Sequence, residues 1–599
     1  MSDPISTPLA PEPTNLTEAS EETSETSPLV ATPKSQPKLS YKQIGGIGGI
    51  AIIIILLATT NILSFIKLLA QSTDAPEICP LQDKILPLSY IKDNSTVLSV
   101  LHDAKFKAAS IKKLSGAVQV DTQVGDAQPD VDEAPELWIK FKKFHEYLEK
   151  TFPTVYENLE VETVNTYGLV FTWKGSDASL KPLMLAAHQD VVPVQQDTLD
   201  DWTYPPFDGH YDGEILYGRG SFDCKNILIG ILETIELLIS QDFHPQRSVI
   251  AAFGFDEESS GIRGAQNIAK FLEEKLGRDS IYALIDEGAG VRMDDLTGRY
   301  VAAPCVGEKG YLDIEVELTT PGGHSSIPPD HTSIGIMSEL VYMIEQNPFG
   351  TTLTEKNPIL QYMQCLAVNS EMPSLVKKTI LRAGFDNYAN GLIMKSLSKV
   401  ALTKALILTS QAADVISGGA KANALPESTK LKVNHRVSVE YTIEDIEEIF
   451  VSRVLKVAKT HNLRVTAFNQ TYLEGDGVSG HFDIYAANVL EPSPISPYND
   501  TIWKYLAGTT RHVFEDLVFT NLTEPVIVAP AVMPANTDTR YYWNLTKNIF
   551  RYTPLFNNDP VHENGIHTVD ERIKFESHLE LIAFFFQYIQ NVDTSDADN

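Results

Sequence analysis

The chain has 599 residues, with 79 acidic against 48 basic side chains and a formal net charge of -31. So large an acidic excess argues against a nucleic-acid surface and suits a lumenal ectodomain. Its four cysteines, Cys79, Cys224, Cys305 and Cys365, do not make a disulfide framework; one bridge is possible, with no pairing readable from the sequence.

Residues 1–43 are rich in Ser, Thr, Pro and Glu and too poor in apolar side chains to offset their ordering entropy, so a disordered cytosolic tail is expected. Residues 44–66 carry no charge and include the run Ile52 to Leu57. At about 1.5 Å per residue this length spans a hydrocarbon core of about 30 Å, and a transmembrane helix is expected. Lys34, Lys38 and Lys42 precede it and Asp74 and Glu77 follow, which predicts a single-pass type II topology with the bulk of the chain in a lumen. Five sequon asparagines, Asn94, Asn469, Asn499, Asn521 and Asn544, lie on that side and are candidate glycosylation sites. A stem is expected over 67–129.

From about residue 130 a helix is predicted, with Leu137, Phe141, Phe144 and Leu148 as its apolar stripe. A first catalytic segment, 130–306, follows. Its apolar run Leu183 to Ala187 reads as a buried strand of a parallel sheet and ends in His188, a candidate metal ligand. Asp190, two residues on, shares a face with His188 and is placed to accept its other ring N–H. The loop Gly218-Arg219-Gly220-Ser221-Phe222-Asp223-Cys224-Lys225 precedes an apolar helix and offers Asp223 as a carboxylate between two metals. Cys224 could be taken for a further ligand, but a buried Cys is more often a small hydrophobe.

The strand Val249 to Phe253 runs into Asp256-Glu257-Glu258, and the strand Tyr282 to Ile285 into Asp286-Glu287-Gly288. One Glu to bind and one to act as base is what a Glu-Glu pair can provide beside a metal pair. These polar clusters sit at strand ends or in a loop leading to a helix, where open α/β sheets place their ligands. At Tyr311 to Leu318 the pattern changes to strict alternation, a half-exposed strand, and a separate lid domain is expected over 307–468, with a long apolar segment between about 353 and 420 that could pack at a dimer interface or border a substrate groove. A second catalytic segment, 469–590, and a short tail, 591–599, complete the chain.

The motifs HxD, GRGxxDxK, DEE and DEG, with the late Ile566-His567-Thr568-Val569-Asp570-Glu571, resemble the zinc aminoacylase/carboxypeptidase family, and within it the fungal vacuolar carboxypeptidases. The resemblance implies an α/β zinc-exopeptidase domain with an inserted α+β lid/dimerisation domain and two Zn²⁺ per subunit. It implies His188, Asp223, Glu258, Asp286 and His567 as ligands and Glu257 as general base. Glu287 is adjacent to Asp286 and either could be the ligand; Asp286 is preferred because it directly follows the apolar strand. His562 is a rival to His567, which the following Val569-Asp570-Glu571 favours.

The resemblance further implies a cis peptide after Asp223, and that His324 reaches a neighbouring active site across a homodimer to stabilise an oxyanion. Asn423 and Arg436 are the implied substrate-binding residues, the Arg through its planar fork. It adds a vacuolar location, with the tail lysines as ubiquitin acceptors. The function expected is removal of a C-terminal residue from short peptides of the Gly-X type. The alternatives are hydrolysis of N-acyl, including fatty-acyl, amino acids and, from a different class, an inactive membrane-anchored binding or sorting protein.

Overall fold

Five apolar residues in a row followed by His188, Leu183–His188, form a strand with every residue buried, as a central strand covered on both faces must be. It pairs in parallel with Val249–Gly254 on one side and with the start of Ala283–Met293 on the other. This is the middle of a ten-stranded mixed sheet. Across it the order is Glu160–Val164, Gly168–Trp173, Val249–Gly254, Leu183–His188, Ala283–Met293, Ile549–Phe556, Cys305–Glu308 and Ala531–Met533. Alternate residues of one strand feed two cores: Val249, Ala251 and Phe253 pack with the helices Lys225–Ser240 and Phe575–Val592, while Ile250 and Ala252 pack with Ala265–Leu276.

The computed structural model describes residues 60–126, 128–559 and 562–598. The chain divides into two units, Met1–Ile62 and Leu63–Asn599. The fold lies in the second, since residues 60–62 alone of the first are described. The tail with Lys34, Lys38 and Lys42 lies outside the described residues, as do positions 44–59 of the expected membrane span. Residues 60–70 are helical. Among the described residues no helix is long and apolar enough to cross a membrane. The expected single-pass anchor, and with it the type II placement at a vacuolar membrane, are therefore corrected.

The stretch 67–129 is part of the catalytic fold rather than a spacer. In the helix Ala104–Val118, Leu114, Ala117 and Val118 are buried in the main core. Thr122 and Gln123 flank the segment that follows His188: Val191 N–H donates to Thr122 O and Thr122 Oγ1 to Gln189 O. The helix Pro135–Thr151 buries Trp138, Phe141, Phe144 and Leu148. Trp138 takes the place expected of Leu137, which is exposed, because its ring packs edge-on against Phe255 and its Nε1 donates to Pro129 O.

The second sheet has six strands, ordered Ser410–Gly418, Ser428–Val437, Gly310–Thr319, His481–Leu490, Arg464–Ala467 and Gln470–Leu473. Its central strand buries Leu312, Ile314, Val316 and Leu318, the alternation expected. Because His481–Leu490 pairs along most of that strand, the insert runs to about 490, two strands past the expected boundary at 468. The apolar segment after residue 353 forms the helices Pro358–Asn369, Ser374–Arg382, Asn387–Leu397 and Ala401–Ala405. Their core closes on Ala75 and Val532. Cys79 and Cys365 form a disulfide, with a Cα–Cα distance of 5.1 Å, joining the N-terminal stretch to this helical part.

Candidate metal centre and active site

The fold brings five distant segments to one point. His188, at the C-terminal end of its strand, has Nε2 3.1 Å from Asp223 Oδ1 and 3.7 Å from Glu287 Oε2. His567 Nε2 lies 3.1 Å from Asp223 Oδ2 and 3.2 Å from Glu258 Oε2. Asp223 thus turns one oxygen to each histidine, the arrangement of a carboxylate shared between two cations. Two donor groups result, His188, Asp223, Cys224 and Glu287, and Asp223, Glu258 and His567.

Asp286 is in neither group, and Glu287 occupies the place expected of it. The strand Ala283–Met293 does not stop at Ile285 but continues through the acidic pair. Neighbouring side chains therefore point to opposite faces, and it is the second that meets His188. Asp286 is buried, and its Oδ1 accepts the N–H of Glu287. Cys224 is fully buried beside the centre, and burial pushes its thiol up.

The candidate ligands are held from behind by two buried carboxylates. Asp190 lies 3.3 Å from His188 Nδ1, as expected, and its two oxygens also accept the backbone N–H groups of Glu257 and Glu258 at 3.1 and 3.0 Å. Since His188 Nδ1 also lies 3.0 Å from the Asp190 backbone carbonyl, one residue positions both the imidazole and the Glu pair. Glu571 accepts the N–H groups of Gly220, Phe222 and Asp223, each at 3.0 Å, and the Arg219 guanidinium at 2.7 Å. The Asp223–Cys224 peptide is cis, as the resemblance implied. The loop of His567 has left-handed backbone at both His567 and Asp570, with φ of 60° at each. Such conformations cost about 1–3 kcal/mol and persist where the surroundings enforce them. Here Asp570 accepts from Thr203 N and Oγ1 at 2.7 and 2.6 Å.

The carboxylates are crowded. Burial and then the neighbouring Asp223 push both Glu258 and Glu287 up to about 8. Glu258 Oε1 is buried and has no hydrogen-bond partner. His567 is driven the other way, to about 11, by its hydrogen bonds with Asp223 and Glu258. An orphaned buried oxygen, converging like charges and an imidazole–carboxylate donor set fit a pair of divalent cations.

Glu257 is held well above the usual carboxylate range by burial and by Glu287. Its neighbours include two residues that sequence reading missed. Arg540 Nη2 lies 3.9 Å from Glu257 Oε1. Asp538 is buried with Oδ1 unpartnered, its carboxyl raised by burial and by Glu257. A Cβ on Gly261, whose φ is 68°, would lie 2.1 Å from that oxygen, so the glycine both permits the turn and makes room. The segment Asn536-Thr537-Asp538-Thr539-Arg540 carries no pattern that sets it apart from an ordinary polar turn.

Of the other expected residues, Arg436 is half-buried on the second sheet, stacked over Tyr311 at 4.5 Å and donating to Asn536 Oδ1 at 2.9 Å. His324 and Asn423 are exposed and belong to one small pairing, in which His324 faces Ala424 and Ser325 N–H donates to Asn423 O. His324 Nδ1 bonds within its own loop, 2.7 Å from Ser326 Oγ. Neither His324 nor Asn423 belongs to the two donor groups. His562 is exposed and pairs with Asp559 at 2.7 Å, outside both groups, which leaves the place to His567. Asn94, Asn469, Asn499, Asn521 and Asn544 are all exposed.

The chain belongs to peptidase family M20/M25/M40, whose profile matches residues 184–591. It is 43% identical to carboxypeptidase S of Saccharomyces cerevisiae over 522 residues, which cover 86% of this chain and 90% of that one. The mouse N-fatty-acyl-amino acid synthase/hydrolase PM20D1 is 31% identical over 494 residues, 82% of this chain and 88% of its own. In structure the chain resembles an M20 metallo-carboxypeptidase from Sulfolobus solfataricus, with a TM-score of 0.54, 15% identity and coverage of 81% of this chain and 99% of that one. Human carnosine dipeptidase 1 has the same TM-score and identity, covering 84% and 99%.

Proposed function

We propose that the protein is a dinuclear zinc carboxypeptidase that releases the C-terminal residue of short peptides of the Gly-X type. The observation that carries this reading is Asp223 turned between His188 and His567, with Glu257 beside them. His188, Asp223 and Glu287 would hold one Zn²⁺, and Asp223, Glu258 and His567 the other. Bound there, the pair would supply an acidified water, with a pKa of about 7, and positive charge toward the oxygen that becomes negative.

The rest falls to the chain's own groups. Glu257 takes a proton from the attacking water on its carboxylate and gives it to the leaving amine. Asp190 fixes the backbone of Glu257 and Glu258 and the ring of His188 at the same time. Arg436 offers its guanidinium fork to the terminal carboxylate of the peptide. His324, exposed on the insert together with Asn423, serves the site of a second copy in a homodimer, where it stabilises the oxyanion.

A second reading, hydrolysis of fatty-acyl amino acids, is favoured by the 31% identity to the mouse enzyme of that name. It uses the same residues and differs in the acyl pocket. The test is kcat/KM of the full-length chain on a blocked Gly-Leu dipeptide against N-oleoyl-leucine. A ratio above one supports the peptidase reading, and a ratio far below one replaces it with the second.

A further inference from the structure

In a chain of net charge -31, one place gathers cations with almost no counter-charge. Lys309 is 2% exposed and donates to Ala405 O at 3.0 Å. Among the described residues neither Lys309 nor Arg436 has a carboxylate within ion-pair distance, and the sole one near Arg540 is Glu257, at 3.9 Å. The three feel each other: Lys309 is pushed down to about 8 by burial and by Arg436, and Arg436 is lowered by burial, with Arg540 contributing.

They are also tied to one short segment. Asn536 accepts from Arg436 through Oδ1 and donates through Nδ2 to Lys309 O at 2.6 Å. The next residue, Thr537, accepts the Arg540 Nε–H on its carbonyl at 3.0 Å. That Nε bond fixes the guanidinium plane and leaves both terminal nitrogens of Arg540 for other partners. The segment is in turn clamped from below, since Thr537 Oγ1 and Thr539 Oγ1 donate to the buried Glu308, which pairs with Arg551 at 3.1 Å. Consecutive residues of a rigid loop thus present two guanidiniums, one from each domain, on the side of the site where the general base lies. Cations held that way without counterions form an anion site.

We propose that Arg540 is a specificity-determining residue which, together with Arg436, binds the carboxylate of the amino acid on the leaving side of the scissile bond. The inference rests on the peptidase or acyl-amino-acid reading above, both of which place a free carboxylate there. Two guanidiniums from different domains would make recognition of that carboxylate depend on the relative placement of the insert and the catalytic sheet. A substrate lacking the charge leaves the half-buried Arg436 guanidinium with no carboxylate partner and Arg540 with Glu257 alone, at 3.9 Å, and is rejected.

The test uses the full-length metal-loaded protein and 4-methylpentanoate, which has the side chain and carboxylate of leucine but no amine and no scissile bond. Its Kd is measured by titration calorimetry, beside KM and kcat for the blocked Gly-Leu dipeptide, for wild type, Arg540→Met and Arg540→Lys. A charge-assisted hydrogen bond is worth about 1.5–3 kcal/mol, so Arg540→Met raises the Kd and KM about 10–100-fold, with kcat changed much less. Arg540→Lys recovers part of the loss and keeps the assay readable if the Met variant fails to fold. Unchanged Kd and KM with a fallen kcat would overturn the proposal and confine Arg540 to Glu257. Equal Kd for all three proteins would overturn it as well. Failure of the dipeptide assay in wild type bears on the peptidase reading alone, because the calorimetric comparison needs no turnover.

Discussion

Glu571→Gln is the sharpest perturbation of the metal loop, because a single carboxylate organises it without touching either histidine. One oxygen of Glu571 takes three backbone N–H bonds, from Gly220, Phe222 and Asp223, and the other faces Arg219 at 2.7 Å. The side chains of both Glu571 and Arg219 are almost wholly buried. An amide keeps the volume but has one acceptor. If its oxygen stays with the loop, its NH₂ meets the guanidinium, donor against donor, and a buried cation loses its counter-charge. Breaking a buried pair in this way costs about 3–5 kcal/mol. If the amide flips, three loop N–H groups lose their acceptor, at about 1–3 kcal/mol for each group left buried and unsatisfied. Either way the penalty falls on the loop that aims Asp223. The expected result is a lower Tm by differential scanning fluorimetry together with zinc binding at least about tenfold weaker in a competition titration. Wild-type Tm and wild-type zinc affinity in the variant would refute the reasoning.

Further outcomes follow from the same geometry. Glu257→Gln should keep its metal content by elemental analysis while kcat falls by about 10²–10⁴, the usual range for a general base. Glu287→Ala should lose one metal per chain and Asp286→Ala neither, so elemental analysis of the two variants tests which acidic residue binds. Glu580, in the helix Phe575–Val592 and in neither donor group, accepts Phe556 N–H at 2.7 Å and is pushed by burial up to about 8. A carboxyl raised in the folded state binds more protons there than in the unfolded chain, so from its ordinary value near 4.5 up to about 8 it lowers stability as pH rises, by up to about 1.4 kcal/mol per unit. Glu580→Gln removes this dependence, and its Tm relative to wild type should rise between pH 5 and pH 8. An unchanged difference would contradict the shift.

The site was legible where chemistry and strand position coincide. His188, Asp223, Glu258 and His567 each end a strand or sit in a loop made for them, and the order of the motifs placed them before any contact was known. Asp286 and Glu287 were not separable, because the strand runs through both and the sequence does not mark where pairing ends. Arg540 and Asp538 were invisible for another reason: a polar turn acquires meaning only when the sheet brings it beside Glu257 from 281 residues away in the chain. Asp190 was read as a partner of His188, but its grip on two backbone N–H groups depends on a neighbouring strand. The stretch before residue 130 looked like a stem because its apolar pattern is weak. Its packing is decided instead by Leu114, Ala117 and Val118 against the main core, and by the Cys79–Cys365 bridge, which spacing could not reveal.

The central claim is that the two histidines and three carboxylates form a metal centre that hydrolyses an amide beside a free carboxylate. The most direct measurement is release of leucine from a blocked Gly-Leu dipeptide by the full-length protein, before and after stripping with a chelator and again after adding Zn²⁺. Release that disappears on stripping and returns in proportion to zinc bound, saturating near two per chain, is the predicted result. Release that survives complete removal of metal would contradict it.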